Sequence, residues 1–277
     1  MTRFYKKILP AVFTFAVFIS HAQNIRVFDF STERSNQITG TTGSYNLNGG
    51  LMVDAKSKLL NLSNFGASGK VKNRIIISQP VAGNTPVTRT VLDNYDIVYI
   101  PALFTPLNAA ELDALYNWSL VPGNVIITGE QSGYSGYTTK CGYSLQHGNT
   151  DPSERIANGD DKYKIFNGIF GNVSARGVKQ SGTQQGYLSS DCYSRAIGKN
   201  AAGNTTVICN IITNDIYFSN GGFFTNMIGE NTVSVGSAII NNSDIMWANT
   251  WAWAIREVLD PSAPEMIVIA TYPQVSL

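Results

Sequence analysis

The sequence predicts an α/β fold: a three-layer sandwich with a mostly parallel central sheet, helices on both faces and a long loop insertion. Short runs that are apolar at nearly every residue, such as "YDIVYIPAL" and "NVIIT", suit strands covered on both faces. Stretches with apolar residues three and four apart alternate with them, as crossover helices would. No internal repeat at a fixed period competes with this reading.

The N-terminus is expected to lie outside the fold. Arg3, Lys6 and Lys7 precede the apolar run "ILPAVFTFAVFIS", and Ser20 and Ala22 offer small residues at signal-peptidase spacing. This is the layout of a secretory signal peptide over residues 1–23, cleaved after Ala22 or Gln23. Its apolar part is short for a bilayer span, and no later run is long enough, so no membrane span is expected after removal. Without those three cations the 20 basic residues no longer outnumber the 19 acidic ones. A chain with only 14% charged residues and no basic clustering does not present a nucleic-acid surface.

The elements follow in order. "NIRVFDF" reads as a first strand. In "GLMVDAKSKLLNLSNFG", Leu51, Met52, Ala55, Leu59 and Leu60 fall near helical spacing, and "RIIISQ" and "YDIVYIPAL" are the next strands. "TPLNAAELDALYNWSL" is a helix capped by Thr105 with Pro106 following, or by Asn108 with Glu111 three residues on, with Leu112, Leu115, Tyr116 and Trp118 inward. "NVIIT" lays down another strand, and "TTVICNIIT" and "IYFSN" come later. "SDIMWANTWAWAIREVLDP" is a last helix, capped by Ser243 or Asp244, with Trp251 on its inner stripe and Pro261 ending it. The domain is expected to span 24–260, with 131–200 as a loop-rich insertion. Residues 261–277 form one more strand or a linker.

Candidate chemistry concentrates in and before that insertion. "GEQSG", Gly129 to Gly133, follows a buried strand with the glycine spacing of a nucleophile elbow. Its centre is Gln131, which cannot attack, and Ser132 is one place late. Ser132 or Cys141 with His147, the one imidazole after the signal, is the available nucleophile and base. The alternative for Cys141 is a disulfide with Cys192, leaving Cys209 buried in its strand. Asp151, Glu154, Asp160 and Asp161 supply oxygen ligands that suit Ca²⁺ in one acidic loop, or simply a solvated face. Tyr134, Tyr137, Tyr143, Tyr187 and Tyr193 sit among Gly, Ser and Asn, as sugar-stacking or protein-contact residues do, or as the insertion's own core.

The segment "LDNYDIVYIPALFTPLNAAELDALYNWSLVPGNVIITGEQ" resembles the strand–helix–strand core of class I glutamine amidotransferase-like domains, especially the trehalose-utilisation-type branch. "YKIFNGIFGNV" is similar to the Gly-Phe-Gly-like turn before the late strands, and "NNSDIMWANTWAWAIREVL" resembles the final helix. The resemblance covers roughly 90–130 and 160–260 and implies a flavodoxin-like fold. The family's catalytic Cys, His and Glu have no counterpart here. The expectation is a secreted or cell-surface binding domain without catalysis or cofactor. Glu130, Gln131, Ser132, Tyr134 and Tyr137 would line its site over the strand ends, with a glycan or cell-surface protein as partner. A secreted hydrolase using Ser132 or Cys141 with His147, and a structural module of an adhesin or secretion-associated assembly, are the alternatives.

Overall fold

A computed structural model describes residues 23–35, 44–79, 85–129, 135–148, 153–157, 161–174, 178–180, 185–189, 194–210, 212–213, 215–219, 224–226 and 232–261. The first half alternates strands and helices. It runs β1 (Ile25–Asp29), α1 (Thr32–Ser35), α2 (Val53–Leu60), β2 (Ile75–Ile77), α3 (Arg89–Leu92), β3 (Ile97–Ile100), α4 (Ala109–Ser119) and β4 (Val125–Thr128). After α5 (Tyr137–Lys140) come β5 (Ser144–Gly148), β6 (Ser153–Ala157), β7 (Asn167–Gly168), β8 (Gly171–Asn172), β9 (Val178–Gln180) and β10 (Gln185–Ser189). Then β11 (Ser194–Lys199), β12 (Thr205–Asn210), β13 (Ile216–Phe218) and α6 (Asn242–Leu259) complete the chain.

The main sheet has the order β2-β1-β3-β4-β13-β12-β11-β6-β9. Its first five strands are all parallel, and the neighbours beyond β13 are antiparallel. Side chains along each parallel strand alternate between two apolar layers, as the period of two requires. Val27, Ile97, Tyr99, Val125, Ile127 and Phe218 pack on one face with α2 and α6. Phe28, Val98, Ile100, Ile126 and Tyr217 pack on the other with Leu92 of α3 and Leu115 and Trp118 of α4. Helices thus cover both faces, which is why these strands carry no polar alternation.

The helix starts follow their sequence signals. Asn108 caps α4, its side chain accepting from Glu111 N while Glu111 Oε2 accepts from Asn108 N. Thr105 is not the cap. On α6 the cap is Asn241, reciprocated by Asp244, rather than Ser243 or Asp244 itself. Trp247, Trp251 and Trp253 are all buried, because α6 lies deep against the sheet with its neighbours on both flanks. Lys58, a cation on the inner side of α2, is wholly buried and donates to the carbonyls of Ser234 and Gly236, each at 2.6 Å, beside Asp244 Oδ1 at 3.4 Å. That pairing stitches α2 to the turn that leads into α6.

The stretch 131–200, expected to be loop-rich with one short element, also carries strands between its loops. β6, β9 and β11 extend the antiparallel side of the main sheet, and β5 pairs with β10 in a separate ribbon. Their short runs, rich in Ser, Gln, Arg and Lys as in "SERIA" and "SRAIGK", hid them, since they carry few apolar residues in a row. The tail beyond Pro261 lies outside the described residues.

Candidate functional site

In a sheet of order 2-1-3-4, the chain leaves β1 toward one side and β3 lies on the other. The crevice over the C-terminal ends of β1 and β3 is therefore the topological switch point, where such folds bind ligands. Asp29, the last residue of β1, sits level with Tyr99 of β3 at that point. It is the acidic residue of "NIRVFDF", and the pattern reading passed over it although a charge at the end of a buried strand was its signal.

Asp29 is fully buried, and four donors converge on its carboxylate. Oδ1 accepts from Leu47 N at 2.9 Å, and Oδ2 from Asn46 Nδ2 at 3.0 Å, Asn48 N at 2.8 Å and Asn48 Nδ2 at 2.7 Å. Burial pushes its pKa up to about 6, the backbone and side-chain amides offsetting part of that rise. The loop 44–49 is thereby latched over the end of β1. Asn46 Oδ1 accepts from the hydroxyls of Ser35 and Ser44, and its amide also reaches Phe30 O. Only glycine fits at Gly49, where a Cβ would collide with Ser44.

The latch reaches the surface through half-buried groups. Asn48 Nδ2 also donates to Ser78 O at 2.9 Å, Ser78 Oγ accepts from Asp29 N at 3.0 Å, and Lys56 Nζ donates to Asn48 Oδ1 at 2.6 Å. On the β3 side, partly exposed Phe104 rests against Tyr45, ring centroids 6.0 Å apart. Beneath them Arg34 of α1 grips Glu111 of α4 through two bonds, at 2.7 and 3.3 Å, with both side chains buried. Burial would raise the Glu111 carboxyl, but the bonds from Arg34, Asn108 N and Val87 N outweigh it and hold its pKa below the usual value. This pair fixes the loops after β1 and β3 to each other.

The predicted site residues divide. Gly129 closes the β4 ladder by donating from N to Ile100 O, so "GEQSG" does leave the C-terminal edge of a central strand. Glu130, Gln131, Ser132 and Tyr134 lie outside the described residues, as do Cys192, Tyr193, Asp151 and Asp160. His147 is in β5, opposite Gly186, and Tyr187 in β10, opposite Gln146.

Tyr137 is not a ligand platform. It is wholly buried, stacked on Tyr217 with ring planes 13° apart, and its hydroxyl donates to Asp215 Oδ2 at 3.0 Å. Tyr143 is buried against the same Tyr217 ring. The core reading of these two aromatics is the right one, because α5 lies over the sheet.

Cys141 is a buried thiol in the same cluster, and Cys192, its expected disulfide partner, lies outside the described residues. Burial and nearby Asp215 push its pKa up to about 12, and a thiol held protonated is a poor nucleophile. Cys209 is the second buried thiol, as expected. The acidic residues do not form one loop. Glu154 is in β6, in register with Lys179, and Asp161 spends its carboxylate on the backbone N–H groups of Ile165, Phe166 and Asn167. Among the described residues no three His, Cys, Asp or Glu side chains stand close enough to share a metal.

A second buried carboxylate was also missed. Asp215, just ahead of β13, accepts from Ile126 N, Thr213 Oγ1 and the hydroxyls of Tyr137 and Tyr217. Burial pushes its pKa up to about 7, against these bonds. It lies level with the start of β4, away from the crevice, and its partners are all internal.

The sequence matches no protein-family model and no curated protein. Solved structures share its fold. The mmIFT52 N-terminal domain superposes with a TM-score of 0.50 at 12% identity, covering 83% of this chain and 96% of its own. A cytoplasmic protein of Salmonella typhimurium does so at 0.50 and 9%, covering 82% and 97%. A thua-like protein from Bacteroides uniformis reaches 0.49 at 10% identity, covering 88% and 96%. At such identities the likeness is one of fold. It agrees with the flavodoxin-like arrangement of the parallel half.

Proposed function

We propose that the protein is an exported, non-catalytic binding domain that holds a carbohydrate or glycoconjugate over the C-terminal ends of β1, β3 and β4. One observation carries the reading. The acid at the switch point, Asp29, is spent on four internal donors and serves to hold Asn48, whose amide borders Ser78 and Lys56. A ring and a hydroxyl in the loops after β3 and β2, the two strands that flank β1, suit a neutral polyhydroxylated ligand: Phe104 offers a face for the sugar's C–H side, and the Ser78 hydroxyl, held in place by Asp29 N, offers a hydrogen bond. Export rests on the cationic and apolar N-terminus and the small residues before Gln23.

The test is a glycan array and calorimetric titration with the secreted protein, whose N-terminus is sequenced first. Binding that weakens at least about tenfold in Phe104→Ala, with an unchanged melting curve, supports the reading, since a lost stacking contact of about 1.4 kcal/mol gives that factor. An array without signal, or binding indifferent to both Phe104→Ala and Ser78→Ala, overturns it. Absence of the chain from the secreted fraction overturns the export step, and a secreted chain that starts at Met1 overturns the cleavage.

A further inference from the structure

A groove of about 470 Å³ runs along the outer side of α6, between it, the β7–β8 hairpin and the segment around Val71. It lies away from the crevice, near the chain entering β2, where Asn73 meets Gln23. Its walls are mainly apolar: Val71, Ile169, Ala252, Trp253 and Leu259. Ile169 is 55% and Leu259 45% exposed, so a slot of peptide-binding size is open to water. Cations stand on its rim. Lys164 and Arg256 line it, Arg256 already donating to Glu257 Oε1 at 2.8 Å, and Lys70 and Lys162 sit over the neighbouring rings of Phe170 and Tyr163. One acid, Asp260, lies at the end where the chain leaves α6.

The chain itself supplies a segment of matching chemistry. Residues 262–277 read "SAPEMIVIATYPQVSL": one acid, Glu265, no base, and then the uncharged run Met266–Ala270. Such a run is costly to leave in water at roughly 25 cal/mol per Å². The segment starts at the lip of the groove, since Leu259 and Asp260 are among its lining residues. Six residues from Asp260 reach Met266, a span of up to about 20 Å. Tethering so short gives an effective concentration in the millimolar range, so even a weak contact would be filled.

We propose that Met266–Ala270 of the same chain seats in this groove, with Glu265 at Lys164 on its rim. The segment then caps α6 and covers Ile169 and Leu259.

Hydrogen exchange on the full secreted chain, read by mass spectrometry, tests this. Amides of 266–270 should exchange at least about tenfold slower than in the free peptide, as a site filled to nine-tenths requires. Ala252→Glu, which puts a carboxylate on the groove floor, should abolish that protection while β1, β3 and β4 keep theirs. Should Ala252→Glu fail to fold, Ile267→Asp with Ile269→Asp decides, because it alters the segment alone and should quicken exchange at Ile169 and Phe170. Unprotected 266–270 in the wild type overturns the proposal. So does protection that survives Ala252→Glu, or that grows with protein concentration and so comes from a second copy.

Discussion

Asp29 Oδ2 takes hydrogen bonds from both nitrogens of Asn48, the backbone N at 2.8 Å and Nδ2 at 2.7 Å. One residue of a surface loop is thus held twice by one oxygen at the end of β1. Asp29→Asn keeps the shape but turns one acceptor oxygen into a donor facing donors. It should destabilise the protein by about 1–3 kcal/mol, the cost of buried groups left unmatched. Asn48→Ala should cost a similar amount, and the double variant less than the sum, because both act through one network. Urea unfolding of the three variants checks this; strictly additive losses would contradict the latch.

The pH dependence of stability follows from the two buried carboxyls. Asp29, raised to about 6, and Asp215, raised to about 7, keep their protons in the folded protein where the unfolded chain has released them. The folded state binds more protons between about pH 4 and 7, so stability falls as pH rises through that window and levels off above it. The lowered pKa of Glu111 acts in the opposite sense, but only at more acidic pH. The urea midpoint at pH 5 should therefore exceed that at pH 8, and Asp215→Asn should shrink the difference. A midpoint that rises from pH 5 to pH 8 would show the assignment of these protons to be wrong.

Cys141 should be silent to thiol reagents in the native protein. It is buried, with its pKa pushed up to about 12, so a negligible fraction is thiolate at pH 8. Cys209 is buried as well, and its thiol is also raised by burial. Iodoacetamide labelling followed by peptide mapping should leave both unmodified in buffer and modify both in urea without reductant. Modification of Cys141 only after reduction would restore the disulfide with Cys192. Rapid native labelling of Cys141 would restore the nucleophile.

The parallel half of the fold was legible because burial on both faces writes itself as unbroken apolar runs, as in Ile97–Ile100 and Val125–Thr128. The antiparallel half was not. Strands such as Gln185–Ser189 lie in a separate two-stranded ribbon and carry polar residues that read as loop. The chemistry was less legible still. Asp29 and Asp215 take part of their character from partners far away in sequence, Asn46 at 17 positions and Ile126 at 89. Tyr137 and Cys141 stood in a stretch read as loop, and nothing local told that α5 would turn them inward.

The Gly-Phe-Gly-like hairpin and the Asn of the last helix, seen separately in the sequence, form one joint. Asn249 Oδ1 accepts from Phe170 N at 3.0 Å, and its Nδ2 donates to Ile165 O at 3.3 Å and Gly171 O at 3.1 Å. The approach is so close that a Cβ on Gly168 would collide with both Lys164 O and Asn249 Oδ1. Asn249→Ala should cost about 2–3 kcal/mol, because it strands two carbonyls and an N–H that are shielded from water. Gly168→Ala should cost at least as much, since one contact is backbone and cannot swing aside. The losses should be local first: hydrogen exchange at Phe170–Asn172 should quicken well before that of β3 and β4, whose bonds do not pass through this joint. If Asn249→Ala leaves Phe170–Asn172 exchange unchanged, the amide does not hold the hairpin, and packing of Ile165 and Phe170 must do so instead.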